Sequence, residues 1–246
     1  MKQIEICCGS YYDCLQAALG GAKRVELNSS LYLGGLTPSL GSLLLTKDNT
    51  SLQVITMVRP RGAGFCYDDD DFTSMLVDAE LMLANGADGI AFGCLDAEGN
   101  IALEQTREMV ELIHKYHKEA VFHRAYDCVK DPYQAMDSLI SLGVERVLTS
   151  GLEPKAMDGK DLIKELQERY GNKIEILAGS GMNASNVNEL MDYTHISQVH
   201  SSCKDWLQDP TTNIAKVNYA YAPTPHESDY DVVSKRLVEE LMAKIK

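Results

Sequence analysis

Three phrases with one grammar recur along this chain: GGAKRVEL at 20–27, NGADGIAF at 85–92 and LGVERVLT at 142–149. In each, a glycine ends a helix, a tight turn follows, and a short apolar run begins. This repetition constrains the fold more than any other feature. Strands alternating with helix-length segments run parallel, because a parallel neighbour needs a crossover of a dozen or more residues. Runs that read as strands fall at 3–7, 24–27, 54–58, 89–92, 120–123, 146–149, 174–178 and 196–200. Amphipathic segments of helix length lie between them, at 11–20, 40–50, 70–85, 103–118, 132–142, 159–170 and 184–192. Eight units close a (β/α)8 barrel of the TIM type, and the alternative is an open doubly wound sheet. The barrel is favoured because every unit is short and no compositional break marks a second domain. A length of 246 residues suits one such domain.

The tail breaks the pattern. Residues 204–229 contain three prolines and little aliphatic periodicity, and an amphipathic helix follows at about 230–245. The expected organisation is a barrel over 1–203, with 204–246 an irregular arm and C-terminal helix of the same domain. The arm either covers the barrel mouth or packs on a partner subunit.

Charge narrows the partners. With 23 Lys+Arg against 36 Asp+Glu the formal net charge is −13, which argues against nucleic acid or an anionic membrane. A small anionic molecule is still allowed, since two or three local positive groups suffice for it. The cysteines at 7, 8, 14, 66, 94, 128 and 203 are odd in number and form no C-x-x-C pair. Neither a disulfide framework nor a structural zinc site is signalled. The N-terminus MKQIEICCGS lacks a signal-peptide core, and no apolar stretch approaches the roughly 20 residues of a membrane span. The expectation is a cytoplasmic protein with free thiols.

Barrel chemistry sits where strands end, so polar residues there carry the functional reading. Strand parity puts Glu5 and Cys7 on one face, and Glu26 with Asn28 on another, while Val25 and Leu27 turn to the helices. Glu5, Glu26 and Arg59 on three successive strands are expected to cluster inside the barrel. One reading is a satisfied polar network. The other is acid–base catalysis by Glu5, Glu26 and His123. Substrate binding falls to Asn28, Arg59, Arg61, Arg124, Asp127, Ser150, Gly179, Ser180, Gly181, His200 and Ser201. Arginines suit a carboxylate or phosphate, and the glycines of Ala178–Asn183 let backbone N–H groups approach an anion. For Arg61 a surface or intersubunit salt bridge stands as an equal alternative. For 178–183 the alternative is a tight turn capped by Asn183. The run Asp68–Asp71 reads as a solvated helix start, and His114 with His117 as surface histidines.

The phrases GGAKRVELNSSLYLGGLTPS, MVRPRGAGFCY, GADGIAFG, VFHRAYD, GVERVLTSG and AGSGM, in this order, resemble the CutC family over about residues 3–203. The resemblance implies a cytosolic (β/α)8 barrel, incomplete in some descriptions, that forms homo-oligomers and takes part in copper homeostasis. It also implies copper as the bound ion, with Cys7 at a family cysteine and Cys8 beside it as the candidate ligands. The family's second cysteine, in the phrase IELC, is replaced by Asn28, and its glycine triplet after strand seven carries Ser180. Two functions therefore stand. One is a copper-binding protein. The other is a barrel enzyme (isomerase, lyase or hydrolase) acting on a small anionic or sugar-like substrate. The strand-end residues favour the enzyme, and a scaffold role is a distant third.

Overall fold

Local chemistry sets the helix starts in the computed structural model, which describes residues 2–245. Ser10, Ser39, Asp68 and Asp131 each accept a backbone N–H at the start of Tyr11–Leu19 (α1), Leu40–Asn49 (α2), Asp69–Ala84 (α3) and Pro132–Leu142 (α5). The acidic run is thus a helix cap and first turn. Leu103–Lys115 (α4), Lys160–Tyr170 (α6) and Val187–Thr194 (α7) complete the ring. The strands are Gln3–Cys8 (β1), Arg24–Leu27 (β2), Gln53–Met57 (β3), Gly89–Phe92 (β4), Glu119–Phe122 (β5), Arg146–Thr149 (β6), Glu175–Ala178 (β7) and Gln198–Ser201 (β8). They pair in parallel in chain order, and β8 returns to β1, so the barrel is closed. Among the described residues no helix is long and apolar enough to cross a membrane.

Two of the three recurring phrases contain a device beyond their turns. The acid just before the strand binds the first amides of the preceding one: Asp88 Oδ2 accepts Val54 N–H at 2.9 Å, and Glu145 Oε2 accepts Ala120 N–H at 2.8 Å. Glu145 also takes His114 Nε2 at 2.8 Å, which occupies one of the helix-surface histidines.

Parity divides the barrel wall. Val25, Leu27, Ile90, Phe92 and Val147 join the core between sheet and helices, while Ile55, Met57, Ala91 and Val121 form a separate apolar cluster. The polar residues of β8, β1 and β2 gather around Glu5, which is 1% exposed. Its carboxylate meets Arg24 Nε at 2.7 Å, Arg146 Nη1 at 3.5 Å and His200 Nδ1 at 2.9 Å. Arg146 continues to Glu119 at 2.8 Å and Glu175 at 3.1 Å, and Arg24 to Gln198 at 2.5 Å, which plugs the N-terminal end. The expected Glu5–Glu26–Arg59 cluster is therefore corrected. Arg24 and Arg146, one residue of each inward-facing pair, supply the positive charge.

The arm is also more ordered than its composition suggests. Lys204–Gln208 (β9) and Asp229–Val233 (β10) form an antiparallel hairpin, and the last helix runs over Lys235–Met242 (α8) rather than from 230. Asp13 Oδ1 accepts Val233 N–H at 2.8 Å and so ties β10 to α1. A five-residue strand whose partner lies some twenty residues away leaves little periodic signal.

Removing one member of a buried ion pair leaves an uncompensated charge, at a cost of about 3–5 kcal/mol. Arg24→Met is expected to destabilise the fold by about that amount, read as a lower denaturant midpoint; a loss below about 1 kcal/mol would show that Glu5 does not depend on it.

Candidate functional site

A cavity of about 300 Å³ opens at the C-terminal end of the barrel. Its wall takes Cys7 from β1, Glu26 and Asn28 from β2 and its end, Met57 from β3, Leu148 from β6 and His200 from β8. Ser201 ends β8, and the segments beyond the strands add Arg59, Phe65, His123, Arg124, Ser180, Gly181 and Ser202. Lys204 of β9 and Asp231 of β10 complete it, so the arm contributes directly to the mouth.

At the floor, three groups converge. Cys7 Sγ lies 3.9 Å from Glu26 Oε2, and His200 Nε2 lies 3.9 Å from the same oxygen. Asn28 Nδ2 donates to Glu26 Oε2 at 2.9 Å and approaches Cys7 Sγ at 3.7 Å. Glu26 Oε1 is buried and has no hydrogen-bond partner among the described residues. Burial alone would push the His200 imidazole down; the negative charge of Glu26 and the bonds to Cys7 and Glu5 outweigh it and hold it well above the ordinary histidine range. Glu26 is pushed up by burial and by repulsion from Glu5, partly offset by His200. Glu5 goes the other way. Burial opposes its ionisation, but the bond to His200 and the charges of Arg24, His200 and Arg146 bring it down to about 2. Burial raises Cys7 and Cys8 as well, so both are neutral thiols.

Cys8 does not reach the cavity. It is fully buried with Cys14 of α1 in the outer core, as strand parity requires. The Cys7/Cys8 ligand pair is thereby corrected, because adjacent residues of a strand face opposite sides.

His123 lines the cavity but is not a proton carrier near neutral pH. Its Nδ1 accepts Ala125 N–H at 3.1 Å, and burial with the nearby Arg59 charge lowers its pKa to about 3. Gly93 makes room for the ring, since a Cβ there would stand 2.6 Å from His123 Cε1. Arg59 leaves the strand before it can meet Glu26. Its guanidinium donates to the carbonyls of Leu33 at 2.8 Å, Gly35 at 2.9 Å and Ala63 at 2.6 Å, and it stacks 5.0 Å over Phe65. Arg61 lies outside the cavity, paired with Asp71 at 2.7 Å and over the Tyr67 ring.

Asp127 and Ser150 form a brace behind the wall rather than part of it. Asp127 accepts Thr149 Oγ1 at 2.6 Å, Ser150 N–H at 2.9 Å and Arg124 Nε at 2.7 Å, and Arg124 also donates to Ser150 Oγ at 2.8 Å. Gly179 is likewise behind the wall, its N–H donating to Thr149 O at 2.9 Å. Ser180 and Gly181 follow at φ 80 and 76, a left-handed pair in which glycine would be easier at the first position. Ser180 is held there by its Oγ donating to Pro154 O at 2.7 Å. The N–H groups of Ser180, Gly181 and Ser202 donate to no acceptor among the described residues. Ser201 lines the cavity, its hydroxyl donating to Met182 O at 2.7 Å.

Comparison with known proteins follows the same outline. The family model of the CutC family matches residues 2–205. A family protein CutC of Treponema denticola is 45% identical over 231 residues, covering 94% of this chain and 93% of that one. The crystal structure of a protein from Streptococcus agalactiae, titled for copper homeostasis and CutC, superposes with a TM-score of 0.77 at 28% identity, covering 82% of this chain and 99% of that chain. A phosphoribosyl anthranilate isomerase from Thermococcus kodakaraensis gives a TM-score of 0.59 at 14% identity, over 100% of this chain and 99% of that chain, a likeness of fold alone.

Because folding lowers the pKa of His123 from 6.5 to about 3, the unfolded chain takes up the proton more readily. Stability should therefore fall as pH drops below that unfolded value, by up to about 1.4 kcal/mol per pH unit from this residue. His123→Gln is expected to flatten that slope in denaturation series between about pH 6 and 5, and His123 ring resonances should not titrate between about pH 5 and 8. A midpoint for the ring inside that window would contradict the assignment.

Proposed function

The chain belongs to the CutC family, and on that premise we propose that it is a barrel enzyme acting on a small anionic, sugar-sized substrate. One observation carries this reading: a single cavity joins unclaimed anion donors at its rim to a proton-bearing cluster at its floor. The N–H groups of Ser180, Gly181 and Ser202 offer fixed dipoles to a phosphate or carboxylate, and Arg124, held by Asp127, adds positive charge to the lining of the same cavity. A volume of about 300 Å³ admits little more than a small metabolite. At the floor, the His200 imidazolium offers positive charge to an oxygen on which negative charge develops, and Glu26 is placed to exchange a proton. Glu5 orients His200 through its Nδ1 and stays ionised, so it positions rather than transfers.

The family name points to copper. Cu(I) is soft and takes thiolate or thioether ligands. Here one thiol, Cys7, lines the cavity, Asn28 stands at the second family position, and Met57, the thioether of the lining, belongs to the apolar wall with Ile55, Ala91 and Val121. A set of one thiol, one imidazole and one carboxylate does not fit Cu(I).

Two measurements follow. Inorganic phosphate, sulfate, small sugar phosphates and hydroxycarboxylates, compared with chloride at equal ionic strength, should include a ligand that raises Tm. At a hundredfold excess over Kd the stabilisation is about 2.7 kcal/mol. Gly181→Asp, which puts a carboxylate at the rim, should abolish the shift; equal shifts in the variant, or none in the wild type, would remove the reading. For copper, Asn28→Cys sets a second thiol beside Cys7 and should raise Cu(I) affinity at least about tenfold in chelator competition. Unchanged affinity would mean that Cys7 is not a copper ligand even when paired.

A further inference from the structure

The geometry points to a divalent-metal site at the cavity floor, in which Cys7 Sγ, His200 Nε2 and the Glu26 carboxylate hold a borderline ion such as Zn²⁺. This rests on the reading that the floor is the electrophilic end of the site: with the ion bound, His200 and Glu26 serve as ligands, and the ion would supply the positive charge in place of the imidazolium.

The three ligand atoms lie within 4.8 Å of one another, and the two separations to Glu26 Oε2 are 3.9 Å each. Tetrahedral coordination with bonds of about 2.0–2.3 Å sets ligand atoms about 3.3–3.8 Å apart. Closing on an ion thus needs shifts of a few tenths of an ångström towards Glu26 and of up to about an ångström between Cys7 and His200, within the reach of side-chain torsions.

A second observation points to a ligand independently. Glu26 is 3% exposed, yet its Oε1 has no donor among the described residues. A buried carboxylate oxygen without a donor is costly; Oε1 is not the oxygen that Asn28 holds, and a cation taken up by the carboxylate through Oε1 would satisfy it.

The surroundings are those a metal site requires. Glu5 Oε1 takes His200 Nδ1 at 2.9 Å, which fixes the ring and presents Nε2 to Cys7 and Glu26. Glu5 is itself held by Arg24 and Arg146, and Asn28 Nδ2 holds Glu26 Oε2 at 2.9 Å. Carboxylate-to-histidine support of this kind orients a ligating imidazole and raises its basicity. Three protein ligands with the fourth side facing a cavity is the arrangement of zinc sites that act on substrate, whereas structural sites are closed by a fourth residue. The donor atoms decide among ions. A thiol and an imidazole disfavour Mg²⁺ and Ca²⁺, and a single sulfur disfavours Cu(I). Binding releases the thiol proton of Cys7 and the Nε2 proton of His200 to the buffer, leaving a thiolate, a neutral imidazole and a carboxylate on the ion.

The test uses the full chain, stripped with a chelator, with the exposed Cys66 and Cys128 replaced by serine to silence surface thiols. Zn²⁺ alone is titrated against a chromophoric chelator, and Co²⁺ alone is followed by thiolate-to-metal charge-transfer absorption. The expected result is one equivalent bound, thiolate absorption with Co²⁺, and at least a hundredfold weakening in Cys7→Ser. Asn28→Ala, which frees Glu26, should weaken binding about 10–100-fold. Because the cobalt spectrum is read on the background with intact Cys7, it holds even if Cys7→Ser fails to fold. Absence of thiolate absorption, or Zn²⁺ affinity unchanged in a folded Cys7→Ser, overturns the site. Anion binding by the metal-free protein is measured in parallel. Its loss with metal binding intact defeats the enzyme reading alone, and its persistence without metal binding defeats the metal site alone.

Discussion

Glu5 is the residue on which both ends of the barrel depend. A carboxylate at the centre of a barrel is tolerable only with cations around it, and Arg24, Arg146 and His200 approach it from β2, β6 and β8. Below it the two arginines fan out to Glu119, Glu175 and Gln198 and fill the N-terminal end. Above it, His200 is turned so that its free nitrogen faces Glu26 and Cys7. One side chain therefore couples the arginine plug to the Glu26–Cys7–His200 cluster at the cavity floor. The same coupling leaves Glu5 unavailable as a proton carrier, since the charges that make its burial possible also keep it ionised.

Polarity is divided around the axis. Strands β3 to β5 present Ile55, Met57, Ala91 and Val121, whereas β8, β1 and β2 present His200, Cys7 and Glu26. A low-dielectric wall opposite a charged one strengthens any field at the floor. Above the floor, charge is spent on architecture. Arg59 is consumed by three loop carbonyls, and Asp127 by the end of β6 and Arg124. Expectation placed both in the substrate's shell, but irregular loops carry unsatisfied carbonyls and amides, and the nearest long polar side chains are recruited to satisfy them.

What was legible in the sequence follows from range. The recurring GADGIAF-type phrases encode local helix stops and strand starts, so the eight-unit barrel could be read from them. Parity set Cys7 with Glu5 and Glu26 with Asn28 on shared faces, and the structure turns both pairs inward. The same parity sets Arg24 on the face of Glu26, and the structure turns it inward to Glu5. The roles of His123 and Arg59 depended on contacts with residues from other loops, which no local pattern contains. Lys204 and Asp231 were missed for the same reason, because their strands pair only across the long connection between them.

Asn28 shapes the floor of the cavity through the donors it offers. An amide cannot bind a soft ion at all strongly, but it can donate, and here it donates to Glu26 Oε2 and approaches Cys7 Sγ. Glu26 is thereby drawn to the position from which its carboxylate and Cys7 share one point in space with His200. The floor thus offers sulfur, nitrogen and oxygen rather than two sulfurs, a donor set harder than the one monovalent copper prefers. A single side chain at the end of β2 thereby sets how Glu26, Cys7 and His200 meet, within a barrel that is that of the family.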